Sequence, residues 1–219
     1  MDNHANQFLQ SAVIALDDIQ LKTALDRGTR KSDSDRAAMM AETTGADVLR
    51  QQARGAKLRA LADLPDLLVQ MERNVMARGG VVLWAENGDE VNRHVIDICR
   101  RHRLTRGVKS KSMVTEETGL VPALAAVGVD MLETDLGEFI IQVDESHPSH
   151  IIAPIIHMTK EKVRDLFVDK LGMDQIPDPV DPVYMTRFAR QLLRQRYLEA
   201  DFGMSGGTFM IAETGTVVV

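Results

Sequence analysis

The chain has 219 residues, 44% of them hydrophobic, which is enough to form a substantial core. Its 26 basic and 32 acidic residues give a net charge of −6, so there is no general electrostatic reason for it to bind nucleic acid. The one cysteine, Cys99, excludes a disulfide within the chain and a cysteine-ligated cluster held by this chain alone. No secretory pattern and no apolar run of about 18 residues occurs, which predicts a cytoplasmic protein without a membrane span.

Residues 1–78 are predicted to form a helical N-terminal arm. Apolar residues recur there at helical spacing, and the polar stretch 28–35 interrupts them as a predicted loop. Residues 46–62 predict a second helix. A third begins with Pro65 in its first turn and ends at Gly79.

Residues 79–219 alternate between strand and helix patterns. They predict an α/β domain with a largely parallel sheet and flanking helices. The predicted strands are 81–85, 130–133, 139–143, 151–152, 208–213 and 216–219. Thr214-Gly215 predicts a hairpin turn between the last two strands. Because an unsupported apolar edge strand invites aggregation, the final strand predicts that the domain is truncated at its C-terminal end. A natural terminal strand is the alternative.

The first candidate site is the segment 109–117, in which two lysines and two serines precede a predicted helix. Thr115 can cap that helix. The free N–H groups and the dipole at a helix N-terminus favour anions, so the segment predicts a carboxylate or phosphate site. An ordinary solvated loop is the alternative. The predicted binding residues are Lys109, Ser110, Lys111, Ser112 and Thr115.

The second candidate is the set of carboxylates Glu133, Asp135 and Glu138, which lie between two predicted strands. Ligands of α/β sheets bind beyond the carboxyl ends of strands, where these groups could act as catalytic acid or base. A polar turn without chemistry is the alternative. We expect the loops 109–115 and 133–138 to approach each other at one edge of the sheet.

Two further groups complete the predicted site. His147, His150 and His157 do not predict a metal site, because Pro148 breaks the helical pairing of the nearer two. His150 is predicted to contact a carboxylate instead.

In the last part of the chain, Gly206 and Gly207 allow close backbone approach to a ligand, and Glu213 follows them on a predicted strand. The alternative for these glycines is a helix-to-strand turn.

Five segments, taken in order, resemble the lactate utilization protein B family. They are 79–85, 108–117, 133–138, 148–152 and 212–216. The resemblance implies a lactate-utilization domain similar in fold to the sugar-phosphate isomerase and CoA-transferase group. It also implies that a ferredoxin-like C-terminal part with [4Fe–4S] clusters is absent, so that this chain holds no cofactor.

The resemblance further implies a component of an electron-transfer system that oxidises L-lactate to pyruvate. Two other lactate-utilization proteins are the expected partners, and a small carboxylate is the expected ligand. One alternative is a stand-alone enzyme of the CoA-transferase or sugar-phosphate isomerase type, with Glu138 as nucleophile or base. The other is an interaction module that docks partners through its helical arm.

Overall fold

A computed structural model of the chain describes residues 3–149, 153–174 and 179–219. The helices are α1 (Asn3–Asp17), α2 (Ile19–Glu42), α3 (Ala46–Ala62), α4 (Leu64–Met76), α5 (Gly88–His102), α6 (Met113–Glu117), α7 (Leu120–Ala125), α8 (Leu136–Asp144), α9 (Lys160–Leu171) and α10 (Pro182–Glu199). The strands are β1 (Arg106–Lys109), β2 (Asp130–Glu133), β3 (Phe202–Met204), β4 (Phe209–Ile211) and β5 (Thr216–Val218). No helix in this described part is both long and apolar enough to cross a membrane.

The chain forms two compact units. One comprises Met1–Thr44 with Leu136–Leu192, and the other comprises Gly45–Asp135 with Leu193–Val219. The boundary between Leu192 and Leu193 falls inside α10. The division into a helical arm and a domain at residue 78 stays a prediction, whereas the helical character of the N-terminal region is confirmed by α1 to α4.

In the second unit, three parallel strands lie in the order β2-β1-β3. Val108 at the centre of β1 pairs with Leu132 on one side and Gly203 on the other. A buried cluster containing Cys99, Leu124 and Met131 packs α5 and α7 against this sheet. The predicted α/β class with a parallel sheet is confirmed.

The last two strands form a separate antiparallel hairpin, β4–β5, as the sequence predicts. Gly215 in its turn has a φ of 67°, which favours glycine. A β-carbon at Gly215 would also lie 2.7 Å from the backbone of Asn74. The Asn74 side chain donates hydrogen bonds to the carbonyls of Ala212 and Glu213, so the hairpin is fixed to α4.

In the first unit, residues 139–143 form part of α8 and not the predicted strand. The β-branched and aromatic residues of this segment favour a strand by local propensity, but burial decides the outcome. Phe139, Ile140 and Ile141 are all buried, and the Phe139 ring lies 6.3 Å from the ring of Phe167 in α9. Tertiary packing therefore overrides the local preference.

The predicted loop at 28–35 is also wrong, because α2 runs through it without a break. Ion pairs at helical spacing join Arg30 to Asp26 and Lys31 to Asp35, and such pairs support an exposed helix. Gly28 has a packing role, since a β-carbon there would lie 2.7 Å from the side chain of Ile156.

Residues 81–85 form no strand, contrary to prediction, and Val81 and Leu83 are exposed. Both sides of β1 are already paired with β2 and β3. The segment is held instead by Trp84, whose indole N–H donates to Glu72 at 3.1 Å and whose carbonyl lies 2.8 Å from the His94 ring. The predicted strand at 151–152 lies outside the described residues.

Asp201 fixes the amino ends of β1 and β3. Its carboxylate accepts hydrogen bonds from the backbone N–H groups of Thr105 and Arg106, both at 2.9 Å, and from the Thr105 hydroxyl. These bonds, led by that from the Thr105 backbone, lower the pKa of Asp201. The folded state therefore favours the ionised carboxylate.

We expect Asp201→Ala to destabilise the protein in a pH-dependent way. Asp201 contributes to the free energy of unfolding at pH values above the ordinary pKa of an unfolded aspartate. That contribution is lost as the pH falls through the lowered pKa of the folded state. Urea unfolding across a pH series should show a stability difference from wild type that shrinks on acidification. Asp169→Ala, at an exposed position in α9, is the control. A difference that stays constant with pH would contradict the assignment.

Candidate functional site

The carboxyl ends of the three parallel strands bring polar residues together at one edge of the sheet. Lys109 ends β1 and Ser110 follows it, Glu133 ends β2, and Ser205 follows β3. Short hydrogen bonds tie these ends to one another. Thr134 donates its backbone N–H and its hydroxyl to the Lys109 carbonyl, at 2.9 and 2.8 Å.

At the centre of this edge, the Lys109 ammonium contacts the Glu133 carboxylate at 2.5 Å. The two side chains are 0% and 8% exposed. The expected approach of the loops 109–115 and 133–138 is thus confirmed for Lys109 with Glu133 and Thr134. The sequence predicted these residues at one edge, but it did not predict that they pair.

Burial of this ion pair is costly for folding. Removing two charges from water takes free energy that their attraction returns only in part, so a buried pair is weak support for stability. A charged pair at the ligand-binding edge of an α/β sheet is better explained by a chemical role. The pair marks this edge as the candidate site.

The other side of the edge is formed by the link between β1 and β3. The Ser110 backbone N–H donates to the Met204 carbonyl, and the hydroxyls of Ser110 and Ser205 lie 2.9 Å apart. Between these residues lies a pocket of about 260 Å³, open to solvent. It is lined by Val108, Lys109, Ser110, Thr134, Tyr197, Gly203, Met204 and Ser205.

The remaining residues of the predicted anion segment lie close by, but the predicted helix cap is wrong. The helix α6 has only five residues and begins after Ser112, so Thr115 lies inside it. The Thr115 hydroxyl donates to the Ser112 carbonyl at 2.7 Å and is not available as a cap. Lys111 and Ser112 lie beside Gly206, where a β-carbon would be 3.8 Å from each.

The three candidate carboxylates do not share one loop. Glu133 is in the buried ion pair, whereas Asp135 is exposed. Glu138 is buried in the first turn of α8, within the other compact unit. The predicted connection 133–138 between two strands is a short strand-to-helix link, since α8 begins at Leu136.

The structure places Gly207 and Glu213 with the hairpin. A β-carbon at Gly207 would lie 2.9 Å from Val217, and the Glu213 carbonyl accepts from Asn74. His150 lies outside the described residues. Their predicted contacts with a ligand stay predictions.

Among the described residues, no group of three or more His, Cys, Asp or Glu side chains is arranged to hold a metal ion. His157 lies 3.3 Å from the Ser149 hydroxyl, and burial, aided by Lys162, lowers the pKa of His157. Cys99 is 2% exposed in the apolar cluster, and burial raises the pKa of its thiol. A buried thiol that resists ionisation does not fit a cluster ligand.

Sequence reasoning placed Thr134 within the loop 133–138 but missed Tyr197 and Ser205 as residues of this edge. The strand β3 has three residues, too few to show an alternating pattern. Tyr197 lies on α10, and helical spacing alone does not identify which residue of that helix lines the pocket. The local sequence therefore carries no signal that would assign Ser205 or Tyr197 to this edge.

Comparison with known proteins identifies the family. The family described as the LUD domain matches residues 68–219, more than half of the chain. The chain belongs to the LUD domain family. No solved structure gives a significant match to this LUD domain chain.

Curated relatives of this LUD domain chain carry the name lactate utilization protein B. The protein from Geobacillus thermodenitrificans (strain NG80-2) is 38% identical over 100% of this chain, which covers 43% of the relative. That from Bacillus pumilus (strain SAFR-032) is 36% identical over 97% of this chain and 45% of its own length. That from Bacillus thuringiensis (strain Al Hakam) is 41% identical over 72% of this chain. The LUD domain chain thus spans less than half the length of the first two relatives.

We expect that removing one member of the ion pair lowers the stability of the protein more than removing both. Lys109→Met removes the Lys109 cation from the buried Glu133 carboxylate and should cost about 3–5 kcal/mol of unfolding free energy. The double variant Lys109→Met, Glu133→Leu should recover most of that loss. Denaturant unfolding measures both. A double variant as unstable as the single one would contradict the view that the pair contributes little net stability.

Proposed function

We propose that the chain is a component of a system that oxidises L-lactate to pyruvate by electron transfer. The observation that carries this proposal is the 38% identity to a protein named lactate utilization protein B over the whole of this chain. The family match over residues 68–219 supports it. The chain spans 43% of that relative, so we propose the activity for the system as a whole, with this chain as one component.

In this proposal, the chain binds the organic acid and does not carry electrons. The single Cys99 is buried, so [4Fe–4S] clusters, which would accept electrons from the oxidised substrate, would be held outside residues 1–219. The carboxyl edge of the sheet supplies the groups that a hydroxy acid needs. These are a cation for the carboxylate and hydroxyls for its oxygens.

Partner proteins are proposed to dock on the N-terminal helices. Phe8, Ile14 and Ile19 are 71%, 73% and 77% exposed, which is unusual for large apolar residues on neighbouring helices. Two other lactate-utilization proteins are the proposed partners. A stand-alone CoA-transferase-like or isomerase-like enzyme rests on fold analogy alone, and the relatives do not favour it.

We expect deletion of the gene to abolish growth on L-lactate as sole carbon source. Growth on pyruvate should continue, because pyruvate is the product of the proposed oxidation. Reintroduction of the gene should restore growth on lactate. Equal growth of the deletion strain and its parent on L-lactate would contradict the proposed role in lactate oxidation.

We also expect the purified chain to contain no iron–sulfur cluster after anaerobic reconstitution with iron and sulfide. One buried cysteine cannot supply the four thiolates that such a cluster needs. Iron analysis and visible absorbance measure the outcome, and Cys99→Ala is the control for thiol-dependent iron. About one cluster per chain that is lost in Cys99→Ala would contradict this expectation.

A further inference from the structure

A second pocket lies between the helix α4 and the hairpin β4–β5. In the described part of the chain it shares no lining residue with the pocket beside the carboxyl edge, and all its lining residues belong to the second compact unit. Its volume is about 620 Å³, within the range of about 300–1,000 Å³ that is typical of small-molecule sites. The size therefore suits an organic molecule and not a simple ion.

The wall formed by α4 is one apolar face of that helix. Leu64, Leu67, Leu68 and Met71 follow one another at the i, i+3, i+4, i+7 spacing that places side chains on one side of a helix. Met71 is 8% exposed, whereas Leu64 is 41% exposed. The α4 wall therefore has a buried end at Met71 and an open end at Leu64.

The hairpin forms the other wall. Phe209 of β4 and Val218 of β5 are cross-strand partners, and Ile211 lies on the same face of β4 as Phe209. Phe209 remains 61% exposed and Ile211 remains 40% exposed. A group of large apolar side chains that stays exposed around a concave surface is typical of a binding site.

Contacts at the hairpin turn fix the position of one wall relative to the other. Asn74, three residues after Met71 in α4, donates its side-chain amide to the carbonyl of Ala212 at 2.7 Å and to that of Glu213 at 3.1 Å. The turn also packs closely on the Asn74 backbone at Gly215. Because these contacts anchor the hairpin without a ligand, the pocket is preformed, which lowers the free-energy cost of binding.

The charge at this pocket is negative. Glu213 is the one charged residue that lines it in the part of the chain that the structure describes, and Glu213 is exposed. The sequence had indicated Glu213 as a residue that contacts a ligand. A carboxylate at the edge of an apolar pocket attracts a cationic group and repels another carboxylate. The pocket therefore favours lipophilic molecules that are cationic or uncharged over fatty acids.

We propose that this pocket binds a lipophilic small molecule with a cationic or uncharged polar end. The apolar part of the ligand lies between α4 and the hairpin, in contact with Leu68 and Phe209. Glu213 lies at the polar end and disfavours carboxylates. The proposal is independent of the role in lactate oxidation, since it uses neither the carboxyl edge of the sheet nor an organic acid.

The test is isothermal titration calorimetry of the whole chain with decyltrimethylammonium, decyl maltoside and decanoate, each below the concentration at which it forms micelles. Their alkyl chains are similar in length, so the comparison isolates the polar end. Wild type should bind the first two saturably, and decanoate about fivefold more weakly than decyltrimethylammonium, as expected for one exposed charge interaction. No saturable binding of any of the three by the folded chain would overturn the proposal.

Phe209→Gln tests the location of the site. It should weaken binding of all three molecules by about tenfold, because it removes the apolar contact of an aromatic ring. Since Phe209 is already exposed, the variant should stay folded, which circular dichroism checks. Val81→Gln, at an 80% exposed position outside the pocket, is the matched control and should bind as wild type does. Equal binding by wild type and Phe209→Gln would overturn the placement of the ligand.

Glu213→Gln tests the selectivity for charge. The variant keeps the backbone carbonyl that Asn74 holds and removes only the negative charge. The affinities for decyltrimethylammonium and decanoate should become nearly equal and should lose their opposite dependence on salt. Glu86→Gln, at an exposed position outside the pocket, is the control. An affinity ratio unchanged from wild type would overturn the role of Glu213.

A second copy of the chain is the competing occupant of this apolar surface. Light scattering at the protein concentration of the titration distinguishes the two. A wild-type dimer that Phe209→Gln converts to a monomer, with no ligand binding by either protein, would overturn the small-molecule site and identify the surface as an interface between copies.

Discussion

The ion pair between Lys109 and Glu133 joins the carboxyl ends of β1 and β2 inside the protein. Each of these strands has only four residues, so few ladder hydrogen bonds fix their register. The pair, with Thr134 bonded to the Lys109 carbonyl, holds the two ends at one position. The polar edge is therefore part of how the sheet is assembled, and the pocket of about 260 Å³ lies beside it.

The opposite edge is held by different chemistry. Asp201 accepts from the backbone of Thr105 and Arg106, and the Asp201 N–H donates to the Arg106 carbonyl at 2.8 Å. Arg196 pairs with Asp130 at the start of β2. The side chains that make these contacts at the amino ends of the strands are largely exposed to solvent. The Lys109–Glu133 pair at the carboxyl ends is buried. Exposed pairs can exchange with water at little cost, so the buried end has the more defined geometry for ligand recognition.

Much of this arrangement follows from the sequence. The helices predicted at 46–62 and from Pro65 agree with α3 and α4, and local signals also bound α9, with Thr159 at its N-cap and Gly172 at its C-cap. The approach of the loops 109–115 and 133–138 was predicted, and Glu133 ends a predicted strand, but no strand was predicted at 106–109 or 202–204, where β1 and β3 lie. The helix α8 was not predictable in this way. Its helical conformation depends on the burial of consecutive residues, and that burial involves residues far away in sequence. Pairing of Lys109 with Glu133 is likewise a tertiary contact, between residues 24 positions apart.

Trp84 is the one tryptophan of the chain, and it lies in the irregular segment between α4 and α5. Its indole N–H is bonded to Glu72 and its carbonyl to the His94 ring, so its surroundings are set by both helices. The ring is 55% exposed and thus in contact with solvent. Its fluorescence, excited at wavelengths where tyrosine does not absorb, therefore reports on the segment between α4 and α5 in the second unit.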